Sequence, residues 1–322
     1  MMSRIAVLVL MVCVLIPACT GQAAQLPAIP PSVGMPTQTF PALAYASLPT
    51  ATQKPKKYSP ITPVPTKTPM VLLTSLPRIP DRDPTKWKVW PVIPDAVDPS
   101  LQKVYERGQE LGNDPHAFSI FGDCQERPGD FFGMFETDPE LVSGLSPDLQ
   151  ELVAYFQGSF NRESPTAQDG TTPGALLWNQ WHRGEYGCTF SETPVECELR
   201  IHRPSFVIIQ IGTHFESRNT EYLRRVILQL MDAGVVPILA TKADDREKDD
   251  RINRDMATLA AEYDLPLWNF WAALSDLPDR GLYIMKGREE QGPVYLNDEA
   301  QIRHRMTGIE ALNVVWRAVA GK

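Results

Sequence analysis

The sequence predicts an α/β fold, a three-layer α/β/α sandwich over a mostly parallel sheet, confined to residues 101–322 of a 322-residue chain. Three observations lead there. Short apolar runs closed by glycine alternate with amphipathic helical stretches, the pattern of parallel strands buried on both faces. Seventeen of the 30 prolines lie between Pro27 and Pro99, and a segment so rich in X-Pro steps favours extended chain over a packed core. The charge is also divided unevenly. Of a net −8, residues 20–100 carry +4 and Arg4 one more, which leaves −13 on the remainder. A domain that acidic repels a polyanion, so a nucleic-acid partner is excluded.

Residues 1–19 read as an export signal. Arg4 precedes twelve apolar residues, Ile5 to Ile16, too few to span a bilayer but right for a signal-peptide core. The run ends in Leu15-Ile16-Pro17-Ala18-Cys19, which resembles a bacterial lipobox with Cys19 as the lipidation site. Cleavage near Ala23 or Ala24 without a lipid is the alternative. Either route takes the mature chain out of the cytoplasm, tethered to a membrane or freely secreted. Residues 20–100 then form a proline-rich disordered linker, free of acidic residues from Gln22 to Pro77. Its four lysines from Lys54 to Lys67 belong to a solvated spacer.

In the domain, the run ending at Phe121 is a buried strand closed by Gly122. Ser146-Pro147 opens a helix with Leu149, Leu152, Val153 and Phe156 on one face. Residues 205–211 are the strongest strand and Gly212 closes it. Asn219 or Thr220 caps the next helix, whose apolar stripe runs from Leu223 to Met231 before Gly234 ends it. A strand over 235–240, a helix through Ile252 to Tyr263, a strand over 265–268 and a last helix over 307–319 complete the alternation. In such sheets ligands sit at the carboxyl ends of the strands. The residues just after Phe121, Ile211 and Ala240 are therefore the ones that matter.

Five cysteines are present. An oxidising destination favours a Cys188–Cys197 disulfide closing a short loop. A zinc set adding His182 and His202 has spacings that match no familiar zinc pattern. Cys124 is then the odd thiol.

Gly122-Asp123-Cys124-Gln125 follows the first strand, and Gly212-Thr213-His214-Phe215 follows the strongest one. On these residues the stretch from about 115 to 320 resembles the SGNH, or GDSL, hydrolases. Thr241-Lys242-Ala243-Asp244 and the run Pro266 to Trp271 add to the likeness. The resemblance implies a flavodoxin-like sandwich and metal-free, cofactor-free hydrolysis of esters on surface glycans or lipids. It puts Cys124 where the family has its serine, with Asp123 organising the loop. His214 takes the place of the asparagine that donates to the oxyanion, or serves Cys124 as base. Gly212 stands beside it, and Gly158 matches the second oxyanion glycine. The family's terminal Asp-x-x-His is altered, because three residues before His304 stands Gln301. That makes His304 either the catalytic base or a surface or cap residue at the start of the last helix.

Two functions therefore compete: an exported ester hydrolase with a Cys124 nucleophile, and a non-catalytic descendant that binds a carbohydrate or envelope ligand in the old cleft. A thiol redox role for Cys124 is a third. The acidic residues Asp244, Asp245, Glu247, Asp249 and Asp250 read as a solvated turn, lacking the ligand spacing of a calcium loop. Trp268 and Trp271 read as core, while Trp178 and Trp181 are the better ligand contacts.

Overall fold

The computed structural model describes residues 82–212 and 220–321, all within one unit spanning Met70–Lys322. Cys19, the four lysines from Lys54 to Lys67 and His214 lie outside the described residues.

Four parallel strands form the sheet in the order β1 (Asp114–Gly122), β2 (Pro204–Gln210), β3 (Val236–Ala240) and β4 (Leu267–Trp268). Ile120 lies opposite Ile208, Ile208 opposite Ile238, and Leu239 opposite Leu267. Every residue of β2 is buried, which is why that strand reads as an unbroken apolar run and not as an alternation. A single parallel bridge from Gly122 to Ala167 continues the sheet beyond β1. The Gly122 N–H donates to the Thr166 carbonyl there, at 2.9 Å.

The principal helices are α1 (Ser100–Leu111), α2 (Pro147–Tyr155), α3 (Pro194–Ile201), α4 (Thr220–Asp232), α5 (Arg251–Glu262) and α6 (Asp298–Ala320). Helices α4 and α5 connect β2 to β3 and β3 to β4, and each packs against β3. Helices α1 and α2 pack against α6, which follows the sheet. The expected sandwich is present. Its core joins Phe118, Phe121 and Phe206 from the strands to Leu230, Leu312 and Trp316 from the helices. Among the described residues no helix is long and apolar enough to cross a membrane.

Two boundaries differ from the sequence reading. The folded domain begins well before residue 101, because Trp87 and Trp90 are buried in the core. Asn269, fully buried after β4, donates through Nδ2 to the Trp87 and Trp90 carbonyls at 2.8 and 3.0 Å. The prolines around these tryptophans shape an anchored strap, not a linker. The last helix starts at Asp298, nine residues earlier than its apolar stripe suggests. Asn297 caps it, its side chain accepting from Ala300 N at 2.9 Å, with Asp298 and Glu299 in the first turn facing the positive end of the dipole.

Candidate functional site

At the carboxyl end of β1 the chain turns sharply through Asp123 and Cys124. Gly122 is required there, because a Cβ on it would come within 2.2 Å of Glu126 Cβ. Asp123 and Glu126 form a reciprocal capping box, in which Asp123 N–H donates to Glu126 Oε2 at 2.8 Å. Asp123 Oδ1 in turn accepts two backbone N–H groups, from Cys124 and from Gly170, each at 2.7 Å. Both lone pairs of that oxygen are thus committed. Asp123 ties the loop together, and it does so by engaging the N–H of the Cys124 residue itself.

Gly158 does not take part. It is exposed, and its N–H donates to Glu136 Oε1. The glycine that reaches the Cys124 loop is Gly170, carried there by the bridge between Gly122 and Ala167. The turn pair Asp169-Gly170 was the available signal in the sequence. Gly212 ends β2 with φ +119°, and a Cβ on it would stand 2.7 Å from Ile252 Cγ2. It shapes the floor where β2 meets α5.

Cys124 is half-buried and keeps its thiol. Burial pushes that thiol well above the ordinary cysteine range, and the negative charges of Asp123, Glu126, Asp169 and Asp130 push it further. This is the reverse of the cationic surroundings that activate a thiolate. Cys124 lines a cavity of about 230 Å³ with Gln125, Asp130, Tyr283, Met285, Tyr295 and Gln301 among its walls. The two tyrosines come from an antiparallel ribbon, β5 (Leu282–Tyr283) and β6 (Tyr295–Leu296), their rings 5.8 Å apart.

His304 is neither a cap nor a surface residue. The early start of α6 puts it in the second turn, on the core stripe with Ala300, Gly308 and Leu312, and it is 1 % exposed. Its ring stacks on Phe131 at 4.2 Å and lies 4.5 Å from Phe270 and 5.4 Å from Trp268. Gln210 at the end of β2 fixes the tautomer. Its Nε2 donates to the Thr241 carbonyl at 2.9 Å, so its Oε1 accepts from His304 Nε2–H at 2.6 Å. Burial, with a smaller contribution from Arg305, pushes His304 down to about 3, so the imidazole is neutral at physiological pH. The Glu126 carboxyl lies 3.7 Å from Nε2, too far for a hydrogen bond. Burial and the charge on Asp123 raise Glu126 well above the usual carboxylate range. Gln301, three residues before His304, binds Arg305 and the Leu296 carbonyl instead.

The loop after β3 corrects another expectation. Asp244 and Glu247 do not belong to a solvated turn. They hold the buried ammonium of Lys242 at 2.7 and 2.6 Å. Asn253 clamps the Lys242 backbone from both sides. Trp268 is buried in the core, and half-buried Trp271 packs against that core, edge-on to Trp87 at 5.1 Å.

Cys188 and Cys197 form the expected disulfide, the mark of an oxidising, extracytoplasmic compartment. The histidines of the zinc alternative bond to main chain: His182 to the Glu192 carbonyl at 2.9 Å and His202 to the Phe118 carbonyl at 3.0 Å. The disulfide pins a loop that bounds a second cavity, of about 250 Å³, walled by Arg127, Gln168, Asp169, Trp181, Arg183 and Tyr186. Arg127 stands three residues from Cys124, so the two cavities flank one turn.

The sheet runs β1-β2-β3-β4 in chain order, with Gly122-Asp123-Cys124 directly at the end of β1. No family profile matches the chain, and no curated protein matches it. Among solved structures it is similar to a protein described as belonging to the G-D-S-L lipolytic family, from Desulfitobacterium hafniense DCB-2. That likeness has 13 % identity and a TM-score of 0.36, over 62 % of this chain and 99 % of the other.

Proposed function

We propose that this protein is an exported binding protein built on a hydrolase-like frame. It holds a carbohydrate of the cell envelope over the carboxyl ends of the strands and does not cleave esters. One observation carries the reading: Asp123 Oδ1 already accepts the N–H groups of Cys124 and Gly170. Acyl transfer needs free donors aimed at the oxygen that becomes negative. Here the backbone donors nearest the thiol face a carboxylate, and the carboxylates around that thiol oppose any negative charge beside it. The neutral His304, stacked among aromatic rings and hydrogen-bonded to Gln210, supports the same reading. Export rests on the signal-like residues 1–19, and a lipid on Cys19 would tether the domain to a membrane through the proline-rich stretch.

The test is turnover. The purified protein, Cys124→Ala and Cys124→Ser are assayed on short-chain aryl esters and acetylated sugars. No hydrolysis above background is expected from any of the three. Serine should not restore activity, because the missing donors are not at the side chain. Turnover by the wild type that disappears in Cys124→Ala would refute the proposal and establish a thiol esterase.

A further inference from the structure

The loop between Trp178 and Thr193 has a construction that the Cys124 cavity does not explain. Two of its non-glycine residues, Arg183 and Tyr186, hold left-handed backbone, with φ of 53° and 59°. L-residues adopt that region at a cost, and it persists only where the surroundings enforce it. Both residues line the 250 Å³ cavity. The enforcement is visible. Buried His182 donates from Nε2 to the Glu192 carbonyl and accepts the Gly184 N–H at Nδ1, each at 2.9 Å. Arg200 donates to the Gly187 carbonyl at 2.8 Å, and the disulfide fastens Cys188 to α3. A strained loop is thus locked so that a guanidinium and a phenol face one small cavity.

The walls name the ligand class. Trp181 and Tyr186 supply flat apolar surface. Arg127, Arg183 and Gln168 supply donors, and Asp169 and the Gln168 carbonyl supply acceptors. A purely apolar ligand would strand these polar groups without partners. An anion would meet Asp169, and it would find Arg127 already paired with Glu163 at 3.6 Å and Asp169 at 3.5 Å. Arg183 makes no ion pair among the described residues. A sugar ring satisfies both requirements, since its faces are apolar and each hydroxyl both donates and accepts. The volume suits one ring.

We infer that the cavity walled by Arg127, Gln168, Asp169, Trp181, Arg183 and Tyr186 is a subsite for a single uncharged pyranose ring. The ring stacks on Trp181 and is hydrogen-bonded by Arg183 and Asp169. The inference rests on the carbohydrate reading above and specifies where, and of what charge, the sugar is.

Titration calorimetry on the full chain tests it, with maltotetraose, mannotetraose and chitotetraose as neutral probes and tetragalacturonate as the acidic one. At least one neutral probe should bind, and Trp181→Ala should weaken it tenfold or more. Arg183→Gly keeps the left-handed backbone while removing the guanidinium, so it should fold as the wild type and still lose about tenfold. Opening the disulfide with a phosphine should also weaken the probe. Binding of the acidic probe alone, binding indifferent to Trp181→Ala and Arg183→Gly, or no binding of any probe would overturn the inference. The binding-protein reading falls by a different result, ester turnover, so the two failures are separable.

Discussion

Replacing His304 by glutamine separates a core histidine from a catalytic one through the pH dependence of folding. In the folded chain His304 titrates at about 3, whereas an exposed histidine titrates at about 6.5. Between those values the unfolded state binds a proton that the folded state does not. Stability from this residue is therefore complete above pH 6.5 and is lost as pH falls toward 3. At pH 4 the gap amounts to roughly 2.5 pH units, or about 3 kcal/mol at 1.36 kcal/mol per unit. The residue is fully buried, so no screening by solvent reduces the figure. Glutamine does not titrate and can still donate to Gln210. Its own cost, from the lost ring contacts with Phe131 and Phe270, is about 2 kcal/mol and independent of pH. Glu126 works in the opposite sense. With its pKa raised, its contribution is complete below about pH 4.5 and is lost as pH rises. Because Glu126 is present in both proteins, a double difference cancels it to first order. Urea unfolding of wild type and His304→Gln at pH 7 and pH 4 should show the wild type losing about 3 kcal/mol more than the variant on acidification. Equal losses in the two proteins would mean that His304 titrates normally, and the sealed, non-catalytic imidazole would have to be abandoned.

Three further outcomes follow from the same geometry. At pH 8, alkylation of Cys124 followed by peptide mapping should run on the order of a hundredfold slower than that of a free cysteine, since burial and four carboxylates hold the thiol protonated; a rate like that of free cysteine would contradict this. Replacing both Cys188 and Cys197 by alanine, which opens a loop of sequence separation 9, should cost about 2.5 kcal/mol in chain entropy, read from the urea midpoint. Gly308→Ala places a Cβ 2.9–3.1 Å from the rings of Trp268, Phe131 and Phe132. It should cost about 1–3 kcal/mol despite the better helix propensity of alanine, and a neutral result would show that those rings can yield.

What the sequence discloses depends on how each element is stabilised. Strand β2 and helix α4 are legible because their stability comes from apolar burial with a regular period. Helix α1 is not. Its stripe is thin, and Gly108 in its interior reads as a breaker. The glycine is there because the Gly234 carbonyl passes 2.1 Å from where a Cβ would be, a close crossing that leaves no trace in local pattern. The burial of His304 was hidden for a related reason. The first turns of α6 are polar, and only Asn297 with two following acids marks the true start. The acidic turn reads as solvated because nothing local reveals that Asp244 and Glu247 fold back over Lys242. Gly158 matches by motif order, whereas the edge bridge at Ala167 decides which glycine arrives at the site, and it is Gly170.

On the proposed reading, serine at position 124 alone gives no ester turnover, because the groups around it are coupled. A serine at position 124 would be a smaller nucleophile in the same field of carboxylates. Its backbone N–H, and that of Gly170, would still end on Asp123 Oδ1. Removing Asp123 would release those donors but would also withdraw the acceptors that hold the 168–170 turn against β1, and with it the Arg127–Asp169 wall of the second cavity. A base would still be needed, and His304 can be freed from Gln210 only by undoing the contact between the end of β2 and α6. Among the described residues, the Cys124 and Gly170 N–H groups and the His304 imidazole are thus each already bound to a structural partner. Arg183, which makes no ion pair among the described residues, lies beside Trp181 on the disulfide loop. That division, with internal partners at the carboxyl end of β1 and an aromatic, hydrogen-bonding loop open beside it, is what supports the proposed binding role.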